Sequence, residues 1–112
     1  MAEAGVIKAT KLTEEQILTK VIKALGLTEE FHKEVIQPFY EDVKFYLFGA
    51  GIKENIIFSS ASVGAFIRGV SDLWNYGTDG ASLSPYFKER VIQLAITEIE
   101  VIEEEVTQNG EL

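Results

Sequence analysis

The segment Gly69-Val-Ser-Asp-Leu-Trp-Asn-Tyr-Gly-Thr-Asp-Gly-Ala-Ser-Leu-Ser-Pro-Tyr-Phe-Lys-Glu-Arg-Val-Ile-Gln-Leu94 decides the fold class. Its first half carries an apolar helical stripe through Val70, Leu73 and Trp74, the only Trp of the chain, and Asn75-Tyr-Gly77 closes that helix. Asp79-Gly80 is turn chemistry. Ser84-Pro85 then starts a new helix, with Ser as N-cap and Pro at the first helical position, where its missing N–H leaves nothing unpaired. Phe87, Val91, Leu94 and Ala95 form the inner face of this second helix. A helix-loop-helix with defined caps at both ends, and without a catalytic set, describes a part that fits against other parts.

Upstream, Ser59-Ser60 caps the helix that ends at Asn75, and its stripe is Val63, Phe66, Ile67, Val70, Leu73 and Trp74. Ala61, Ala65 and Gly69 recur at spacing four beside that stripe and offer a flat row for close helix approach. Gly69 inside a helix costs about 1 kcal/mol relative to Ala, so something is expected to use the space it leaves. Ile52 to Phe58 reads as a short connector, extended or a single turn.

Two more helices precede it. Thr13-Glu-Glu-Gln16 is a capping-box pattern, followed by Ile17, Leu18, Val21, Ile22 and Leu25 on one face and closed by Gly26 with Leu27. Thr28-Glu29-Glu30 opens the next, with two carboxylates where the helix dipole favours them. Its stripe runs through Val35, Ile36, Phe39, Tyr40, Val43, Tyr46 and Leu47 until Gly49-Ala-Gly51 stops it. Pro38 lies within that stripe, so a kink or break is expected near Gln37.

The expected fold is therefore all-α, a small bundle of about four helices with a kinked second helix. Residues 1–12 form an N-terminal arm, 13–95 the helical domain and 96–112 an acidic, flexible C-terminal tail. In the tail, Ile92, Ala95, Ile99, Ile102 and Val106 keep helical spacing, while Ile99-Glu-Val101 also alternates as a strand would. Glu103-Glu-Glu105 would oppose a helix dipole, so this tail is expected to fray in the isolated protein.

At 112 residues the chain suits one domain, and 46% hydrophobic residues with seven Phe and four Tyr supply a core. It contains no Cys, which removes disulfides and thiolate chemistry. The longest apolar runs fall short of a membrane span and the start lacks a signal-peptide pattern, so a soluble, non-exported protein without a membrane partner is expected. The net charge of −8 is concentrated at the end: residues 96–112 hold six Glu and neither Lys nor Arg. Scattered Lys and Arg elsewhere argue against sequence-specific nucleic-acid binding.

Readings of chemistry are weak. His32 is the only His, has no Cys to share a zinc ion with, and reads as a structural residue near a helix start. Gly49-Ala-Gly51 follows a helix and lacks the third Gly of a dinucleotide loop, and Asp72 to Gly80 places Trp74 and Tyr76 where calcium ligands would stand. No catalytic, metal-binding or cofactor-binding residue is assigned. Arg68 and Asp72, four apart, make a surface pair, or Arg68 meets a carboxylate of a neighbouring chain. Trp74 and Tyr76 are core or loop anchors, or interface residues. The candidate subunit or partner interface is Ala61, Ala65, Arg68, Gly69, Asp72, Trp74 and Tyr76. A second candidate is a tail that is either solvated or ordered on assembly: Glu98, Ile99, Glu100, Ile102, Glu103, Glu104, Glu105 and Val106.

Gly64-Ala-Phe-Ile-Arg-Gly-Val-Ser-Asp-Leu-Trp-Asn75, a Gly-containing loop, and Leu83-Ser-Pro-Tyr-Phe-Lys-Glu-Arg-Val-Ile-Gln-Leu94 together resemble the head-tail connector, or adaptor, proteins of long-tailed bacteriophages. The resemblance covers residues 59–95; the first two helices agree only in order and length. It implies a small all-α structural protein without enzymatic activity or cofactor. Such a subunit forms a ring, dodecameric when assembled, under the portal protein at the virion head-tail junction, after assembly in the host cytoplasm. The ring continues the DNA channel and docks the head-closure or tail protein. The alternative is a small helical regulatory module that binds one protein partner and acts as a dimer. Purified chain that forms rings or binds a portal distinguishes the first from the second.

Overall fold

The computed structural model describes residues 6–76 and 83–103. Their order is β1 (Val6–Thr10), α1 (Glu14–Ala24), α2 (Glu29–Gly49), a one-turn α3 (Glu54–Ile57), α4 (Val63–Tyr76), α5 (Pro85–Ile96) and β2 (Glu98–Ile102). The chain is mostly helical, with four long helices and a small two-stranded sheet. Helix α4 packs against α1, α2 and α5, and the whole measures 45 × 33 × 19 Å, a slab about two helices thick.

Cap chemistry sets the helix limits. The Thr13 hydroxyl accepts the Gln16 backbone N–H at 3.1 Å, and the Gln16 side chain accepts the Thr13 N–H at 2.8 Å, completing the capping box. Helices α1 and α2 both end in a Schellman motif. The Leu27 N–H reaches Ile22 O and the Gly26 N–H reaches Lys23 O; likewise Ile52 N–H reaches Leu47 O and Gly51 N–H reaches Phe48 O. Gly26 and Gly51 adopt φ of 77° and 87°, the left-handed conformation these motifs require. At α5 the Ser84 hydroxyl accepts the Phe87 N–H, with Pro85 at the first position.

Two expectations need correction and one is narrowed. Of the kink or break expected near Gln37, the break is absent: α2 runs as one helix from Glu29 to Gly49, where an exposed Pro on the solvent side removes one bond and the packed inner face holds both halves together. Part of the arm, Val6–Thr10, is a strand. β1 pairs in parallel with β2, Ile7 opposite Ile99 and Ala9 opposite Val101, so Glu98, Ile99, Glu100 and Ile102 of the expected fraying tail belong to a ladder. Ala9 is buried and Ile99 and Val101 pack against the core, which offsets the ordering cost of the two strands. Finally, the helix expected from Ser59-Ser60 starts at Val63, after a 3₁₀ turn over Ser60–Ser62.

That turn joins ribbon to bundle. The Ser59 hydroxyl donates to Ile56 O at 2.7 Å and accepts the Ala61 N–H, while the buried Ser62 hydroxyl donates to Ile57 O at 2.6 Å. The Thr10 N–H meets the Ser60 hydroxyl at 2.9 Å, and the Leu12 N–H meets Phe58 O at 2.9 Å. Below it lies one core, with Ile17, Ile36, Tyr40, Val43, Leu47, Phe66, Val70 and Phe87 sealed from solvent.

Candidate functional site

The α4–α5 corner is fixed from inside. Asp72 is only 2% exposed, and one carboxylate oxygen accepts the Ser84 backbone N–H at 3.0 Å while the other lies 3.4 Å from the Arg68 guanidinium. A charge-assisted bond to the N-cap residue of α5 ties the end of α4 to the start of the next helix across the intervening loop. Asp72 is therefore a buried latch, not half of a surface pair. Arg68 stays near half exposed and extends over the Tyr86 ring, 5.9 Å from its centroid.

The small-residue row serves the chain's own packing. A Cβ at Gly69 would stand 2.8 Å from both Phe87 Cε1 and Val43 Cγ2, so α2, α4 and α5 meet at this glycine. Ala65 is buried, and Ala61 with Ala65 floors a shallow groove walled by Ile7, Arg90, Gln93 and Ile99. The Arg90 guanidinium lies over Gly64, where a Cβ would come within 3.2 Å.

Trp74 is half-buried and meets His32 and Phe39 of α2 edge-on, at centroid distances of 6.3 and 6.4 Å. His32 Nδ1 in turn lies 3.3 Å from Thr28 N and 3.1 Å from Thr28 O. The imidazole thus meets the backbone of the N-cap residue itself, while the Thr28 hydroxyl makes no capping hydrogen bond. Tyr76 ends α4, and its side chain lies outside the described residues, as do Glu104, Glu105 and Val106. Glu98, Glu100 and Glu103 are exposed, with Lys8 facing Glu100 at 3.8 Å across the ribbon.

Three groups along the α1–α2 seam have raised pKa values. Lys33 is raised by its bond to Glu15, and Lys44 is raised by Glu14 at 2.6 Å and Glu41 at 2.9 Å against the opposing effect of burial. Burial, then the nearby Glu14 charge, pushes the Tyr40 phenol far up, and its hydroxyl has no hydrogen-bond partner. The Lys33–Glu15 and Lys44–Glu14 pairs hold α1 and α2 together. Among the described residues no cluster of three or more His, Cys, Asp or Glu could hold a metal ion, and no helix is long and apolar enough to cross a membrane.

What the sequence reading missed lies on the outside of α2 and α5. Phe31 and Phe45 on α2 are 72% and 80% exposed, and Tyr86 and Ile96 on α5 are 71% and 76% exposed, joined by Val35, Phe48 and Ile92. Isolated exposed apolar residues are ordinary, but large side chains repeated along one helix face mark a surface to be covered. The signal was present as a second apolar spacing in each helix.

Compared with protein-family models, curated proteins and solved structures, the chain shows no match.

Proposed function

We propose that this chain is a non-enzymatic structural subunit of a connector ring below a phage portal. The observation that carries the reading is the pair of uncovered apolar faces on α2 and α5, held at a fixed angle by the Asp72–Ser84 latch and the Gly69 crossing. A subunit that contacts two neighbours needs two different faces, because a head-to-tail contact uses unlike surfaces. The resemblance of residues 59–95 to head-tail connectors supplies the setting, since that segment contains the corner itself. Its partners in this reading are its own copies, the portal protein, and the head-closure or tail protein.

A conduit for DNA works best with walls that do not grip phosphate, since each cation on the duplex adds affinity. Exposed Glu98, Glu100 and Glu103 suit such a wall. Electron microscopy of the chain mixed with a portal protein from the same genome tests the reading. Rings seated coaxially on the portal support it. A chain that stays a dimer and ignores the portal overturns it in favour of the regulatory module.

A further inference from the structure

Along α2, Phe31, Val35, Pro38, Asp42, Phe45 and Gly49 recur at alternating steps of four and three and all stand in solvent. This is the spacing of a coiled-coil seam, set on the face opposite the core residues Ile36, Tyr40, Val43 and Leu47. Helix α5 has a shorter seam of the same kind, Tyr86, Glu89, Gln93 and Ile96, flanked by exposed Ile92. Two solvent-facing seams on one subunit invite helix-on-helix packing between copies.

Charge selects the pairing. The two basic residues of α2 are turned to α1, Lys33 to Glu15 and Lys44 to Glu14. Exposed Glu30, Glu34 and Asp42 are left without an ion pair among the described residues, so the outer side of α2 is acidic. The α5 side is basic: exposed Arg90 makes no ion pair among the described residues and stands beside Arg68, with Glu89 the one carboxylate among them. Pairing α2 with α2 would set Asp42 and Glu34 against like charges, whereas α2 against α5 sets acid against base. The α5 seam, at about 15 Å, fits within the α2 seam, at about 27 Å.

We infer that the outer face of α2 is the docking surface for the outer face of α5 of a second copy of this chain. The contact is head-to-tail, so every copy offers one free α2 face and one free α5 face. The inference deepens the ring reading and rests on it only for closure of the chain of contacts into a ring.

Three versions of the full chain test it: unaltered, Phe45→Glu and Ile96→Glu. Both substitutions are at exposed positions, and circular dichroism checks that each variant stays folded. Each is treated at high protein concentration with an amine-reactive cross-linker and run on a denaturing gel. The unaltered chain should give a ladder and each variant alone should lose it. Mixing the variants should restore a dimer band and nothing larger, because the intact α5 face of one meets the intact α2 face of the other. A ladder or dimer that survives in Ile96→Glu, a mixture that restores no dimer, or an unaltered chain that never cross-links each overturns the contact. Portal microscopy separates this from the broader reading. Rings on the portal without the mixed dimer sink the α2–α5 contact alone, and the mixed dimer without portal binding sinks the connector role alone.

Discussion

Along α2, Ile36, Tyr40, Val43 and Leu47 line one face, and Phe31, Val35 and Phe45 line the other. Both sets are apolar and both keep helical spacing, yet the first is sealed and the second stands in solvent. Periodicity reports that a helix has apolar faces and is silent about which one the rest of the chain will cover. Here α1 and α4 supply cover for one side only. The sequence stripe through Val35 merges the two faces; Val35 belongs to the outer one, at about half exposure.

The widest gap between the faces should appear on truncation. Leu47→Ala, at a sealed position, is expected to cost about 2–5 kcal/mol through lost transfer energy and the cavity left behind. Phe45→Ala removes a larger side chain and should shift stability by no more than about 0.5 kcal/mol, because its ring is already in water. Urea unfolding of both variants measures the difference. Comparable losses would mean that Phe45 is covered within the monomer and that α2 has no second face.

A smaller effect is expected where the inner face meets its neighbours. Gly69→Ala gains helix propensity worth about 1 kcal/mol. The added methyl, however, would press on Phe87 and Val43, both sealed in the core. Overpacking of that kind costs about 1–3 kcal/mol, so the net change should be destabilising. A stabilised variant would show that α4 can move away from α2 and α5, and that the corner is not rigid.

The legible parts of the fold were those written in adjacent residues. The capping box at Thr13, the stops at Gly26 and Gly51, and the Ser84-Pro85 start each depend on chemistry within a few positions, and each stands where expected. The ribbon depends on two segments at opposite ends of the chain. Val6–Thr10 has little signal alone, and Ile99-Glu-Val101 alternates without naming a partner. Asp72 was hidden for a similar reason. Its spacing from Arg68 suggests a surface pair, and only the return of the chain at Ser84 buries it. Of the candidate interface, Ala65, Gly69 and Asp72 are used internally, while the exposed rings of α2 were absent from the reading.

The inner face of α2 also carries the subtlest test, at Tyr40. Its ring stacks on Phe66 at 4.8 Å, but its buried hydroxyl lacks a hydrogen-bond partner. Folding keeps this phenol protonated above its ordinary range, and Lys33 and Lys44 are likewise raised. For all three the folded state holds the proton more tightly than the unfolded chain. Stability should therefore be flat from neutral pH to about 10, the usual onset for these groups, and fall above it as the unfolded chain releases protons. Lys33 is exposed enough that its share should be small. Tyr40→Phe removes the phenol and should reduce the alkaline slope by about 1.4 kcal/mol per pH unit. At pH 7 the same variant should change stability by less than about 1 kcal/mol, since no hydrogen bond is lost and a buried polar group is relieved. A larger loss at pH 7 would mean that the hydroxyl is bonded in solution, with Glu14, whose charge helps to raise the phenol, the acceptor to suspect; the inner face would then be held by polar contacts as well as by packing.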